Sequence, residues 1–334
     1  MRSLSLSVLD QSVSVAGSSE DAAIRDTLDL AQHCERLGYA RFWVSEHHGL
    51  PTIIGSAPEI LMAAIAARTT RIRIGSAGVM LPHYSSLKVA EQFRVLEALA
   101  PGRIDLGVGR APGSDMRTAR ALNPNAHVAA DDFPAQLNDL REWTSPAALH
   151  HGITAHPRGA HAPEIWVLGS SNYGAQLAAH FGLPYAYAYF FVDGAGADEA
   201  LALYRRQYKP SARHPEPHAT VCVWALAAET HDKALHHALG RERWRVDRER
   251  GVLGPLQSSD VIAARGFSAA ERPTVDAMRR KAFVGTGAQV AGQMRALADE
   301  LQLDELVVNT WAHEPAVRRT SYALLAREFD LAHA

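Results

Sequence analysis

Two hydrophobic periods alternate along the chain. Residues 4–9 (LSLSVL) switch between apolar and polar side chains with period two, which reads as a strand. Ser18-Ser19-Glu20 then caps a helix that runs to Leu37 and stops at Gly38, with Ile24, Leu28, Ala31, Cys34 and Leu37 recurring on one face. The pattern repeats. Residues 40–44 read as a second strand, and Ala57-Pro58 opens a helix through Arg68 with the proline in its first turn. Residues 71–76 (RIRIGS) return as a third strand, 86–99 as a helix closed by Pro101-Gly102, and 103–108 (RIDLGV) as a fourth strand.

After that the rhythm loosens. Residues 111–130 read as a long loop, 131–143 as a helix, and the His-, Pro- and Gly-rich run 150–163 as irregular chain. Strands recover at 164–168 (EIWVL), 185–191 and 218–226, with helices at 171–181 and up to about Tyr208. Residues 241–281 carry dense charge, many breakers and weak periodicity, so a helical insertion with a mobile lid is expected at about 240–282. A helix at 287–301, a strand at 305–308 and a closing helix at 315–331 follow. Eight strands alternating with helices, without an internal repeat or linker, predict an α/β fold, a single (β/α)8 barrel domain over residues 1–334. A doubly wound open sheet is the alternative, but no Pro/Gly/Ser stretch divides two such sheets.

A 47% apolar content suffices for that core, and a formal charge of −2 gives no footprint for nucleic acid or an anionic membrane. Two distant cysteines, Cys34 and Cys222, argue against a disulfide framework or thiolate metal site and fit a reducing compartment. The N-terminus lacks a signal-peptide core, and the most apolar segments, 60–67 and 186–192, are too short to span a bilayer. A cytoplasmic protein is expected.

In a barrel, chemistry sits on the loops that follow the strands. The second strand ends in Glu46-His47-His48. Adjacent side chains on extended chain point apart, so a chelate is awkward, but one imidazole at the mouth could exchange a proton near neutral pH. A solvated strand end explains the histidines equally well. In SAGVMLP (76–82), Ala77-Gly78 exposes bare backbone against which a flat ligand could lie, although a tight turn is the simpler reading. In GVGRAPG (107–113) the glycines are spaced GxGxxxG, a poor dinucleotide fingerprint; Arg110 among small residues suits a phosphate better. Ser170, Ser171 and Asn172 open the helix after the fifth strand, an anion site unless the serines are ordinary caps. Loops four and five are neighbours in a barrel, so they could grip one phosphate together. His150, His151, His156 and His161 crowd one loop without carboxylates or thiolates, and no metal is expected. The run RERWRVDRER (241–250) alternates in charge sign and reads as a solvated helix.

Together GYARFWVSEHHGLP, RIRIGSAGVMLPHYSSLKVAEQFRVLEALAPGRIDLGVGRAPG, LGSSNYGAQLAAHFGLPYAYAYF and FVGTGAQVAGQMRALADEL resemble the bacterial luciferase-like flavin monooxygenases. The resemblance covers most of the chain and is weakest at 113–163 and 240–280. It implies a (β/α)8 barrel binding FMN at the C-terminal ends of its strands. It also implies that His47 is the catalytic histidine, that Arg110 binds the FMN phosphate with the Ser170-Ser171 turn, and that Ala77-Gly78, often a cis peptide, underlies the flavin ring. Departures occur at Gly109, where luciferases carry a reactive cysteine, at Ser170 in place of a glutamate, and at Gly174 in place of a threonine. Light emission is therefore not expected, and phosphate binding must rest more on backbone N–H groups than on side chains. The implied reaction takes FMNH2 from a separate NAD(P)H-dependent reductase and O2 through a flavin C4a-peroxide to oxidise an aldehyde-like or other small organic substrate. The resemblance also suggests a homodimer. Two rivals stand beside it: F420-dependent hydride transfer on the same barrel, and a non-catalytic flavin-binding protein.

Overall fold

Eight parallel strands close on themselves: β1 (Ser5–Asp10), β2 (Arg41–Val44), β3 (Arg73–Met80), β4 (Ile104–Gly109), β5 (Glu164–Gly169), β6 (Tyr185–Tyr187), β7 (Ala219–Ala228) and β8 (Glu305–Asn309). β1 pairs with both β2 and β8, with Ser5 opposite Glu305, and β6 pairs with β7, with Tyr185 opposite Ala219, so the ring has no break. This is the (β/α)8 barrel that the alternation predicts. The computed structural model describes residues 4–110 and 115–331; Gly113, last glycine of the GxGxxxG run, lies outside them.

Strand periodicity sorts side chains into two sets. Outward residues such as Val8, Phe42, Ile74, Leu106, Val167, Val223 and Val308 join the main core under the surrounding helices. Inward residues fill the barrel in layers. Leu9, Trp43, Trp166, Ala186, Cys222 and Val307 make the middle layer, with the Trp43 and Trp166 rings 5.1 Å apart at 67°. Small residues make room for them: a Cβ on Gly75 would stand 2.5 Å from Trp43 Cδ1. Cys34 and Cys222 are buried, and burial pushes both thiols upward, as expected of packing residues rather than nucleophiles.

Below that layer, at the N-terminal strand ends, lies a charged plug. Arg41 reaches from β2 to Asp105 of β4 (3.0 and 2.9 Å), Glu164 of β5 (2.9 Å) and Glu305 of β8 (3.0 and 3.3 Å). Arg73 adds bonds to Asp105, and the Trp43 indole donates to the same carboxylate at 2.9 Å. Burial raises the Asp105 carboxyl despite both arginines; burial also opposes ionisation of Glu164, but there the arginines win and hold it at about 2.

Several elements differ from the sequence expectation. β3 runs to Met80 through a register irregularity between Ser76 and Val79, because beyond it the strand pairs again with β4, Val79 opposite Val108 and Met80 opposite Gly109, while the Met80 N–H also donates to Glu46 at 3.1 Å. β6 stops at Tyr187, and a 3-10 turn (Tyr189–Phe191) follows. Part of the expected 111–130 loop is helix, Met116–Leu122, started by Asp115, whose carboxylate accepts from the Arg117 and Thr118 N–H groups. An accessory strand, Phe283–Thr286, pairs with the C-terminal half of β7. The segment expected to begin an insertion near 240 belongs to a longer helix, His231–Glu249, capped by Thr230. Its central residues are not solvated: Glu242, Arg243 and Val246 are buried, and Arg243 pairs with Asp247 (2.6 Å) and Glu271 (2.9 Å) while Glu242 holds Arg279 (2.7 Å).

Removing Arg41 leaves Asp105 and Glu164 to Arg73 and Glu305 to Ser7 and His218, an excess of negative charge in a confined space. Arg41→Met is expected to destabilise the protein by about 3–5 kcal/mol, measured by urea unfolding at neutral pH. A loss below about 1 kcal/mol, the worth of an exposed pair, would show that the plug is hydrated and not structural.

Candidate active site

The opposite, C-terminal rim of the barrel gathers every residue that the sequence singles out for chemistry. At the end of β2, side chains alternate as extended chain requires. His47 Nδ1 lies 3.2 Å from Ser45 Oγ, whereas His48 Nε2 lies 2.8 Å from Glu46 Oε1. Glu46 is 3% exposed and also accepts from the Met80 N–H at 3.1 Å and the Tyr84 hydroxyl at 2.5 Å. The two histidines therefore have separate jobs. His48 belongs to a carboxylate-centred network that ties the β2 end to the β3 end. His47 has no carboxylate partner, and its other ring nitrogen is uncommitted among the described residues. Burial, with help from His48 and Arg248, lowers its pKa to about 4, although Glu46 pulls the other way. It is thus a neutral imidazole at physiological pH, able to donate or accept but not to carry a lasting charge.

The next two strand ends are nearly bare. The Ala77–Gly78 peptide is cis, and Gly78 sits hard against β4, where an added Cβ would meet the Gly107 carbonyl oxygen at 2.9 Å. Around Gly109, by contrast, a Cβ would meet nothing within 4 Å. The rim here offers backbone and open space, which is what a flat, close-lying ligand needs.

Arg110 follows directly and is exposed. It forms no ion pair among the described residues; its guanidinium instead stacks over Tyr173, 4.3 Å from the ring centre. Tyr173 lies in the first turn of helix Asn172–Phe181, which joins loops four and five as the sequence reading expects. Ser171 occupies the N-cap of that helix without a side-chain cap, and the first turn holds no acidic residue. The Ser170 and Ser171 carbonyls accept from Tyr187 and Tyr185 (3.3 and 3.1 Å), which fixes the turn. Gly174 is buried, and a Cβ there would stand 3.3 Å from Tyr185 Cε2, so glycine lets the first helical turn approach the strands. A guanidinium without a carboxylate, an uncapped helix N-terminus and bare backbone one strand away fit a phosphate joined to a planar ring.

Two site features escaped the sequence reading, and a third was anticipated only in part, as a lid at about 240–282. Tyr84 and Tyr173 occur inside quoted motifs but show no periodicity of their own. The roof is the third. Helix His231–Glu249 is fastened across the mouth by the Trp244 indole donating to Thr52 Oγ1 (2.8 Å), by an Arg245–Asp193 pair (2.8 and 2.7 Å), and by a bridge between Val15 and Leu256. The loop histidines also gain a partner. Asp139, from helix Phe133–Thr144, lies 2.8 Å from His150 and 3.6 Å from His151, so a carboxylate thought missing from that cluster is present. His156 and His161 are not part of that group.

The luciferase-like monooxygenase family profile matches residues 4–304. Among curated proteins, Bacillus subtilis YwcH is 41% identical over 98% of this chain and 99% of its own length, and the N-acetyl-S-alkylcysteine monooxygenase of the same organism is 35% identical over 96% and 97%. The solved structure of apo-MsnO8 superposes with a TM-score of 0.91 at 36% identity, covering 98% of this chain and 99% of that one. Two more distant structures share the fold: the oxygenating constituent of 3,6-diketocamphane monooxygenase from Pseudomonas putida in complex with FMN (TM-score 0.72, 19% identity, 98% and 97% covered) and an F420-dependent secondary alcohol dehydrogenase (0.68, 14%, 96% and 97%). The chain belongs to the luciferase-like monooxygenase family.

Proposed function

We propose that the protein is an FMN-dependent monooxygenase that takes reduced flavin from a separate reductase and oxidises a small organic molecule with O2. The observation that carries this reading is Arg110, an exposed guanidinium stacked on Tyr173 beside the uncapped start of helix Asn172–Phe181. Arg110 and the N–H groups of the Ser170-Ser171 turn would hold the phosphate. Ala77, Gly78 and the open space at Gly109 would seat the ring, and Gly174 keeps the phosphate turn close to the barrel wall. Reduced flavin, when bound, supplies the activation of O2. The chain supplies the rest. His47 holds or passes one proton at its uncommitted nitrogen, and its neutral state lets it do so without a standing charge in a dry site. The roof over residues 231–256 and the expected lid beyond it exclude water. The substrate need not be an aldehyde, since one relative is an N-acetyl-S-alkylcysteine monooxygenase.

Three outcomes test this. Arg110→Ala is expected to weaken FMN binding by about 2 kcal/mol, roughly thirtyfold, by fluorescence titration; an unchanged dissociation constant removes Arg110 from the site. In the flavin-free protein, the folded pKa of His47 (about 4) lies below its ordinary value of 6.5. As pH falls through that window the unfolded chain binds the proton first, so stability present above pH 6.5 is lost toward pH 4. His47→Gln should flatten that part of the melting-temperature profile; an identical profile means the imidazole is solvated. Finally, FMNH2 added anaerobically and then exposed to air should couple O2 consumption to substrate oxidation. Hydride exchange with reduced F420, and no response to FMNH2, would replace this reading with the deazaflavin one.

A further inference from the structure

Arg241 has no carboxylate of its own. On the same roof helix, Arg243 pairs with Asp247 and Glu271, and Arg245 with Asp193. Arg241 makes no hydrogen bond or ion pair among the described residues and stacks over Trp224 of β7, 4.1 Å from the ring centre. The two carboxylates nearby are taken: Asp193 accepts two bonds from Arg245 (2.8 and 2.7 Å) and Glu242 two from Arg279 (2.7 and 2.7 Å). Burial, then the charge of Arg245, holds the Arg241 guanidinium at about 9, which marks a cation that its surroundings fail to compensate. Trp224 is only 5% exposed, and its indole N–H has no partner. A guanidinium with no carboxylate, resting on an aromatic face, is an arrangement that lacks an anion.

The space for one is present. Arg241 and Trp224 line a cavity of about 300 Å³ with Leu235, Met278 and Val284 and with the charged Glu242, Arg279 and Arg280. That volume is at the lower end for small-molecule sites. Arg110 and the Ser170-Ser171 turn, on β4 and β5, are separate from this anion site on β7 and the roof.

We propose that Arg241 receives the carboxylate of an organic acid seated in this cavity. The site's role in turnover rests on the monooxygenase reading, but its preference for acids does not. Binding is tested by isothermal titration with phenylacetate, 3-phenylpropionate and 4-phenylbutyrate, each against its neutral amide of the same shape. At least one acid should bind tenfold or more tightly than its amide. Arg241→Met should abolish that preference. Arg241→Lys, keeping the charge, should restore part of it. No acid binding at millimolar concentration, equal binding of acid and amide, or an unchanged ratio in Arg241→Met overturns the proposal. FMN titrated into the same samples separates the two readings: intact FMN binding without acid preference sinks this one alone, and acid preference without FMN binding sinks the other alone.

Discussion

Everything above the barrel floor depends on Arg41. One guanidinium contacts carboxylates from β4, β5 and β8 while rooted in β2, so it ties strands from across the ring. Buried ion pairs are costly to desolvate and contribute more to uniqueness than to net stability. Here the uniqueness is geometric. Slipping any of the four strands by one residue would turn its charged group outward, losing the plug and the Trp43–Trp166 layer above it together. With the N-terminal end sealed by charge and the middle filled by aromatic rings, the C-terminal rim is the end left free for binding, as in other barrels of this class.

That rim is a set of loops fastened to one another. Glu46 links the second loop to the third through the Met80 N–H and Tyr84. The roof helix links the second loop to the seventh strand through Trp244 and Thr52. Gly49 lies against Thr118 of the short helix after β4, where a Cβ would approach Thr118 Oγ1 to 2.8 Å. His47 sits within this fastened loop, its backbone N–H donating to the Gly55 carbonyl at 2.9 Å and its ring oriented by the Ser45 hydroxyl at 3.2 Å. Positioning of this kind lets a neutral imidazole keep one orientation without a carboxylate that would raise its pKa.

The sequence was legible where burial was apolar. Parallel strands covered on both faces, such as EIWVL and RIDLGV, stand out as short β-branched runs bounded by breakers. Helix Ser86–Leu99 has the bounds the pattern predicts. The site was legible where glycine, serine and arginine follow such a run directly. The misses share one cause: a polar residue satisfied by a group remote in sequence. The roof helix hides its buried side because Arg243 and Glu242 find partners at Glu271 and Arg279, tens of residues away, and the run reads as solvated charge. Asp139 reaches His150 from the preceding helix, Phe133–Thr144, which a view of the loop alone omits. The accessory strand, four residues long, carries too little pattern to see.

The tryptophan pair in the barrel has an optical consequence. Trp166 precedes Leu168, at the rim, by two residues, roughly 7 Å of extended strand, and Trp43 lies against it. Two ultraviolet chromophores therefore sit on the axis just beneath the mouth, shielded from bulk quenchers. A coloured guest lodged at that mouth would drain their excitation, so the molecule carries an intrinsic gauge of its own occupancy.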